Sequence, residues 1–272
     1  MAPRTKLSKQ ADKLFDAAQK ISGGKHDRFG KAFGLYHNAA RMGQPDACHV
    51  VGYCYGWGLG TTINKRLAVK WYRRSAESGI PEAALELGTC YARGIGTRKN
   101  LALAVRLFTY ASEFGIAEAQ FRLADAYAHG EGVRRNRPRA FRLYRAAAIK
   151  GDTNAETCVG YCYFYGEGVK RDWRLAHKWY SRAAKKVDSH ALHNLGLMAK
   201  HGHYVKQDMR TAIALFRRAA RAGHIGANFQ LGVAYAHGTG VKRDLTLARK
   251  FLTLAEADAF EINAVLKGIT DG

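Results

Sequence analysis

No apolar run approaches the roughly 20 residues that a membrane-crossing helix needs. The N-terminal Met1-Ala-Pro-Arg-Thr-Lys-Leu-Ser-Lys-Gln also lacks the apolar segment of a secretory signal. Both absences point away from a membrane and toward a cytoplasmic protein. Cysteine is sparse and unpatterned: residues 48, 54, 90, 158 and 162 make neither a C-x-x-C zinc pattern nor an even disulfide framework. A reducing compartment is therefore expected, and a scaffold indifferent to reductant. Acidic residues are few, 22 against 44 Lys plus Arg, which leaves a net charge of +22. With 47% hydrophobic residues the chain is nevertheless too apolar to be disordered, and 272 residues suffice for one large domain or two ordinary ones. There are only four prolines against 29 glycines, and the spacing of those glycines is what organises the chain.

Gly58, Gly94, Gly130, Gly166, Gly202 and Gly238 recur every 36 residues, as do Ala32, Ala68, Ala104, Ala140, Ala176, Ala212 and Ala248, without an insertion or deletion. A third column reads Asn64, Asn100, Asn136, Asp172, Asp208 and Asp244, and a fourth Tyr55, Tyr91, Tyr127, Tyr163, Ala199 and Tyr235. In the first half of each unit, Ala47, Val51, Gly52 and Tyr55 form a helical stripe with small residues where a neighbour approaches closely. The second half repeats this with Ala68, Trp71, Tyr72, Ser75 and Ala76. Gly58-x-Gly60 predicts a helix stop and a positive-φ turn, and the Asn/Asp column an N-cap for the second helix. Gly79, Gly115, Gly151 and Gly223 close the second helix in the same way. Each unit is an αα-hairpin that cannot bury its own face, so about seven and a half must stack. The fold expected is all-α: a right-handed α-solenoid spanning 11–260, with a basic tail over 1–10 and a half-repeat cap over 261–272.

The string Ala-x-x-x-Leu-Gly-x-x-Tyr-x-x-Gly-x-Gly-Val-x-x-(Asn/Asp)-x-x-x-Ala-x-x-x-Tyr-x-x-Ala-Ala-x-x-Gly resembles the Sel-1-like repeat, a relative of the tetratricopeptide repeat. Ala155 to Gly168 followed by Asp172, Ala176, Trp179, Tyr180, Ala183 and Ala184 carry it best, with Ala227, Leu231, Gly232, Tyr235, Gly238, Gly240, Val241, Asp244 and Ala248. The likeness runs roughly from residue 11 to residue 268 and implies scaffolding of signalling or assembly complexes. The sequence departs from it at Ala124, Val187, Ala199 and Tyr204; around the sixth repeat, where the last three fall, the motif no longer dictates the local curvature. A cysteine-stapled, secreted branch of such proteins has been linked to β-lactamase-like activity, but that pairing is missing here.

Function is expected in the positions that the repeat leaves free. A 100° step per residue puts three rows of the first helix opposite its buried stripe, on the side that lines the concave groove of tetratricopeptide-like solenoids. One row holds Trp57, Arg93, His129, Tyr165, His201 and His237. Beside it run Tyr53, Thr89, Asp125, Tyr161, Leu197 and Val233, then Val50, Glu86, Arg122, Cys158, Asn194 and Gln230. The groove residues singled out are Tyr53, Trp57, Arg93, Arg122, His129, Tyr161, Tyr165, Asn194, His201, Gln230 and His237, types that anchor a peptide or stack on a base. Between the helices, Arg98, Lys99, Arg134, Arg135, Lys170, Arg171, Lys206, Lys242 and Arg243 occupy matching loop positions and are expected to make a basic strip. The second helix adds Lys70, Arg106, Arg142, Lys178 and Lys250 in one column and Arg73, Arg145 and Arg217 in another.

His190, His193, His201 and His203 lack an accompanying carboxylate or cysteine at zinc spacing, so no metal is expected. No G-x-S-x-G, no S-x-x-K with its partner motifs and no phosphate loop occurs, so neither catalytic residues nor a cofactor are expected. The reading is a non-enzymatic adaptor that takes a protein or peptide in its groove and turns a basic face toward an acidic partner. The alternative is an RNA- or DNA-binding repeat protein, and behind it a hydrolase.

Overall fold

The structure, a computed structural model, describes residues 6–23, 28–257, 261–262 and 265–266. Fourteen helices and no strand occur among the described residues, and the chain divides into two compact units, residues 1–136 and 137–272. The first unit holds α1 (Lys6–Ser22), α2 (Phe29–Arg41), α3 (Pro45–Trp57), α4 (Lys65–Glu77), α5 (Pro81–Arg93), α6 (Leu101–Glu113) and α7 (Ala117–His129). The second holds α8 (Arg137–Ile149), α9 (Thr153–Tyr165), α10 (Trp173–Lys185), α11 (Ser189–His201), α12 (Met209–Arg221), α13 (Ile225–His237) and α14 (Leu245–Leu254). Residues 6–10, expected as tail, already form the start of α1, because Ala11 and Ala18 are buried and draw this amphipathic segment into the stack. Residues 1–5 and most of the expected cap over 261–272 lie outside the described residues.

Local signals set the helix lengths. Asn64, Asn100, Asp172 and Asp244 accept the backbone N–H of Leu67, Leu103, Leu175 and Leu247 at 2.9–3.0 Å, as N-caps do. A second set of caps opens the first helices: Asp152 and Asp188 accept from Ala155 and Ala191, and His224 Nδ1 from Ala227. At the other end, Gly58, Gly94, Gly130, Gly166, Gly202 and Gly238 take left-handed backbones with φ from 71° to 80°.

Within each unit a helix packs mainly on its neighbours in sequence. The seams are lined by alanine, and a bulky side chain reaches deep in each hairpin: Tyr180 and Phe216 are buried, as is Leu252 in the last. Glycine opposite makes room for these two rings: a Cβ at Gly160 would stand 2.6 Å from the Tyr180 ring and one at Gly196 2.5 Å from the Phe216 ring. Val187 and Tyr204 stand where other repeats have glycine, yet their φ values are 62° and 66°. At these two residues the backbone keeps the left-handed conformation of the glycines they replace, on side chains that disfavour it. No helix among the described residues is long and apolar enough to cross a membrane.

Candidate interaction surface

On the first helices, the row farthest from the buried stripe is exposed throughout: Trp57, Arg93, His129, Tyr165, His201 and His237. In the second row Tyr161 is exposed and Tyr53 half-buried, while Arg122, Asn194 and Gln230 of the third are half-buried. This grading follows from the 100° step, because the side rows rest partly on adjacent helices. Two of the third row are engaged within their own unit: Arg122 pairs with Glu118 at 3.1 Å, and Gln230 Oε1 accepts from Lys200 at 2.8 Å.

In the first unit, Trp57 is 62% exposed, lies 6.0 Å from Tyr53 and carries the Lys65 ammonium 5.5 Å above its ring. Lys65 is fixed there by donating to the Gly56 carbonyl. Arg93 and Arg122 border a recess of about 190 Å³ between α5, α6 and α7, with Asp125 and Glu131 on its walls. In the second unit the aromatic surface is wider than the sequence rows. Tyr161 and Tyr165 lie 4.5 Å apart, Phe164 meets Tyr165 at 4.8 Å, and Trp173 packs on His203 at 4.3 Å with the Arg171 guanidinium 5.1 Å over its indole. Phe164, Trp173 and His203 were missed. For Phe164 the available signal was its interruption of a column of small residues, since it follows Gly56, Ala92 and Ala128; Trp173 and His203 stand in mixed columns that carry no such signal.

All nine loop cations, Arg98, Lys99, Arg134, Arg135, Lys170, Arg171, Lys206, Lys242 and Arg243, are exposed. None forms a salt bridge among the described residues. The second-helix cations divide. Arg73 and Arg217 donate to the Tyr91 and Tyr235 hydroxyls at 2.8 and 2.6 Å and so serve the scaffold, whereas Lys70, Arg106, Arg142, Lys178 and Lys250 are exposed.

No disulfide joins the cysteines, and burial pushes the thiols of Cys54 and Cys90 up to about 11 and that of Cys162 up to about 12. Such thiols stay protonated and make poor nucleophiles. His193 and His224 stack at 4.2 Å with His190 beside them, and no group of three or more metal-ligating side chains suited to a metal occurs among the described residues.

Tandem αα-hairpins with glycine stops and alanine seams define a helical-repeat protein whose variable surface lies on the outward side of its first helices. The chain belongs to the Sel1 repeat family, whose model matches residues 22–44, 45–80, 81–113, 117–152, 155–188, 189–224 and 225–257. Seven matches account for the sequence period, and proteins of this family serve as protein-interaction scaffolds. Among solved structures, a Sel1 repeat protein from Oxalobacter formigenes is 27% identical, with a TM-score of 0.79 over 94% of this chain and 99% of that one. Another is c5321, a protective antigen present in uropathogenic Escherichia coli strains and displaying an SLR fold. It is 26% identical with a TM-score of 0.81 over 95% of this chain, which spans 56% of that protein. A search of curated proteins finds no match.

Proposed function

We propose that the protein is a non-enzymatic, cytoplasmic adaptor that binds a protein or peptide along the outward face of its first helices. The observation that carries this reading is the exposure of Trp57, Tyr161 and Tyr165, at 62%, 47% and 54%, in the columns the scaffold leaves free. Rings of similar size in the scaffold columns, Tyr72 and Tyr180, are buried. Rigid aromatics that lose little entropy on contact are the residues that concentrate binding energy at interfaces. The test is capture of partners from lysate by the wild type and by a Trp57→Ala, Tyr165→Ala variant. Loss of the captured proteins is expected, and undiminished capture would refute the assignment.

A second reading rests on the unpaired loop cations: an acidic partner, with nucleic acid as the extreme case. Arg171 over Trp173 joins a cation to a ring, the pairing that single-stranded nucleic acid engages through phosphate and base. Nuclease treatment before capture separates the two. A protein ligand survives it, and a complex held by nucleic acid does not.

A further inference from the structure

The sixth repeat lacks a ring that the other repeats carry. Tyr55 packs edge-on against Phe33 at 5.6 Å, Tyr163 against Phe141 at 5.2 Å, and Tyr235 stacks on Phe251 at 5.6 Å. One period on from Tyr163 stands Ala199, one period on from Phe141 stands His177, and one period before Phe251 stands Leu215. His177, Ala199 and Leu215 line the same cleft, with Leu195 and Val205 as further apolar wall and Lys206, Gln207, Asp208 and Thr211 at its mouth. Its volume is about 600 Å³. In the third repeat a cleft of about 450 Å³ shares the positions of Leu195, Ala199, Thr211 and Leu215, held there by Leu87, Tyr91, Leu103 and Leu107, but not the loop wall.

We infer that this cleft receives the tyrosine side chain of a partner polypeptide, seated where the repeat's own ring is missing. Three observations define the occupant. Leu195 and Leu215 repeat the Leu87 and Leu107 that border the cleft lined by Tyr91, so a single six-membered ring fits the gap left at Ala199. The His177 imidazole makes no hydrogen bond among the described residues and faces the cleft, offering a nitrogen to a phenol hydroxyl. The mouth is formed by exposed side chains, so whatever carries the ring lies on the surface; there the unpaired Lys206 favours an acidic residue next to the tyrosine. Asp208 at the rim is already committed, accepting from the Arg210 N–H and the Thr211 hydroxyl. Tyr204 on the adjoining loop does not replace the missing ring: it touches His177 at 5.5 Å but is 54% exposed, and the cleft stays open beneath it. The cleft is built from α10, α11, α12 and the loop before α12. It therefore stands independently of the aromatic face proposed above.

The experiment is a titration of the full chain, with ¹³C-labelled leucine and valine methyls, by p-cresol and by N-acetyl-tyrosinamide. Ring-current shifts are expected at Leu195, Val205 and Leu215, and much smaller ones at Leu103 and Leu107 of the cleft that Tyr91 lines. Ala199→Tyr supplies the ring from within and should weaken p-cresol binding at least tenfold. Leu215→Phe, which copies Phe251, should weaken it several-fold and serves if the first variant does not fold. Equal shifts in the two clefts, or undiminished binding in both variants, would overturn the site. Binding of p-cresol without binding of N-acetyl-tyrosinamide would overturn the tyrosine of a partner as its occupant.

Discussion

Val187 is the residue at which this chain departs most from its own rule. A β-branched side chain at φ 62° carries strain of about 1–2 kcal/mol, against which glycine adds unfolded-state entropy of about 0.5–1 kcal/mol. Val187→Gly should therefore stabilise the protein by up to about 1.5 kcal/mol in urea unfolding, and a loss of stability would mean the valine side chain contributes packing that outweighs its strain. The reverse holds at Gly160: a methyl group there would stand 2.6 Å from the Tyr180 ring, so Gly160→Ala should destabilise by about 1–3 kcal/mol or more. His193 gives a pH signature. Burial, first, and then the neighbouring His224 and His190 lower its folded-state pKa to about 4, below the ordinary 6.5. The unfolded chain thus binds the proton more readily, and this contribution, complete above pH 6.5, is lost as the pH falls from 6.5 toward 4. Asp188, near His224, opposes the trend only for that second imidazole. Acid unfolding of His193→Phe, compared with the wild type, should show a smaller stability loss across that window.

At the scale of the element, α9 and α10 are tied through one buried carboxylate. Glu156 is covered on α9 and meets Arg182 of α10 at 3.0 Å and Lys186, just beyond it, at 3.2 Å; both cations reach water. The two ways of breaking the cluster are unequal. Arg182→Ala with Lys186→Ala strands a buried negative charge and should cost about 3–5 kcal/mol in chemical denaturation. Glu156→Ala frees two cations that solvent can take up and should cost appreciably less. This cluster was not legible in the sequence, because Glu156 occupies no repeated column and reads as an ordinary surface glutamate. The helices themselves were legible for the opposite reason: stops, caps and alanine seams recur at one interval, so each position is tested several times over. Site residues are read from departures, and a departure shows only when its column is inspected. The charged and aromatic first-helix rows could be followed that way, whereas Phe164, Trp173 and His203 lay in columns assigned to packing or to loops.

At the scale of the whole molecule the net charge of +22 is the quantity to be explained. If it serves nucleic acid, each phosphate neutralised releases counterions, and about six engaged cations imply a log-log salt slope near −4 to −5. A protein ligand held by Trp57, Tyr161 and Tyr165 should depend far less on salt, since apolar contacts are not screened and peripheral charges act chiefly on the association rate. Reversing Lys170, Arg171, Lys242 and Arg243 to Glu should abolish the steep slope in a binding titration while leaving aromatic-dependent capture merely slower. An unchanged slope would assign the charge to some other role.

Helices that pack chiefly on their sequence neighbours also bear on how the chain is made. Low contact order means that a nascent helix leaving the ribosome finds its partner already synthesised, with no distant strand to await. Each hairpin can then be added to a growing template in the order of translation. Ribosome-bound chains stalled at successive 36-residue steps should gain protease protection one hairpin at a time.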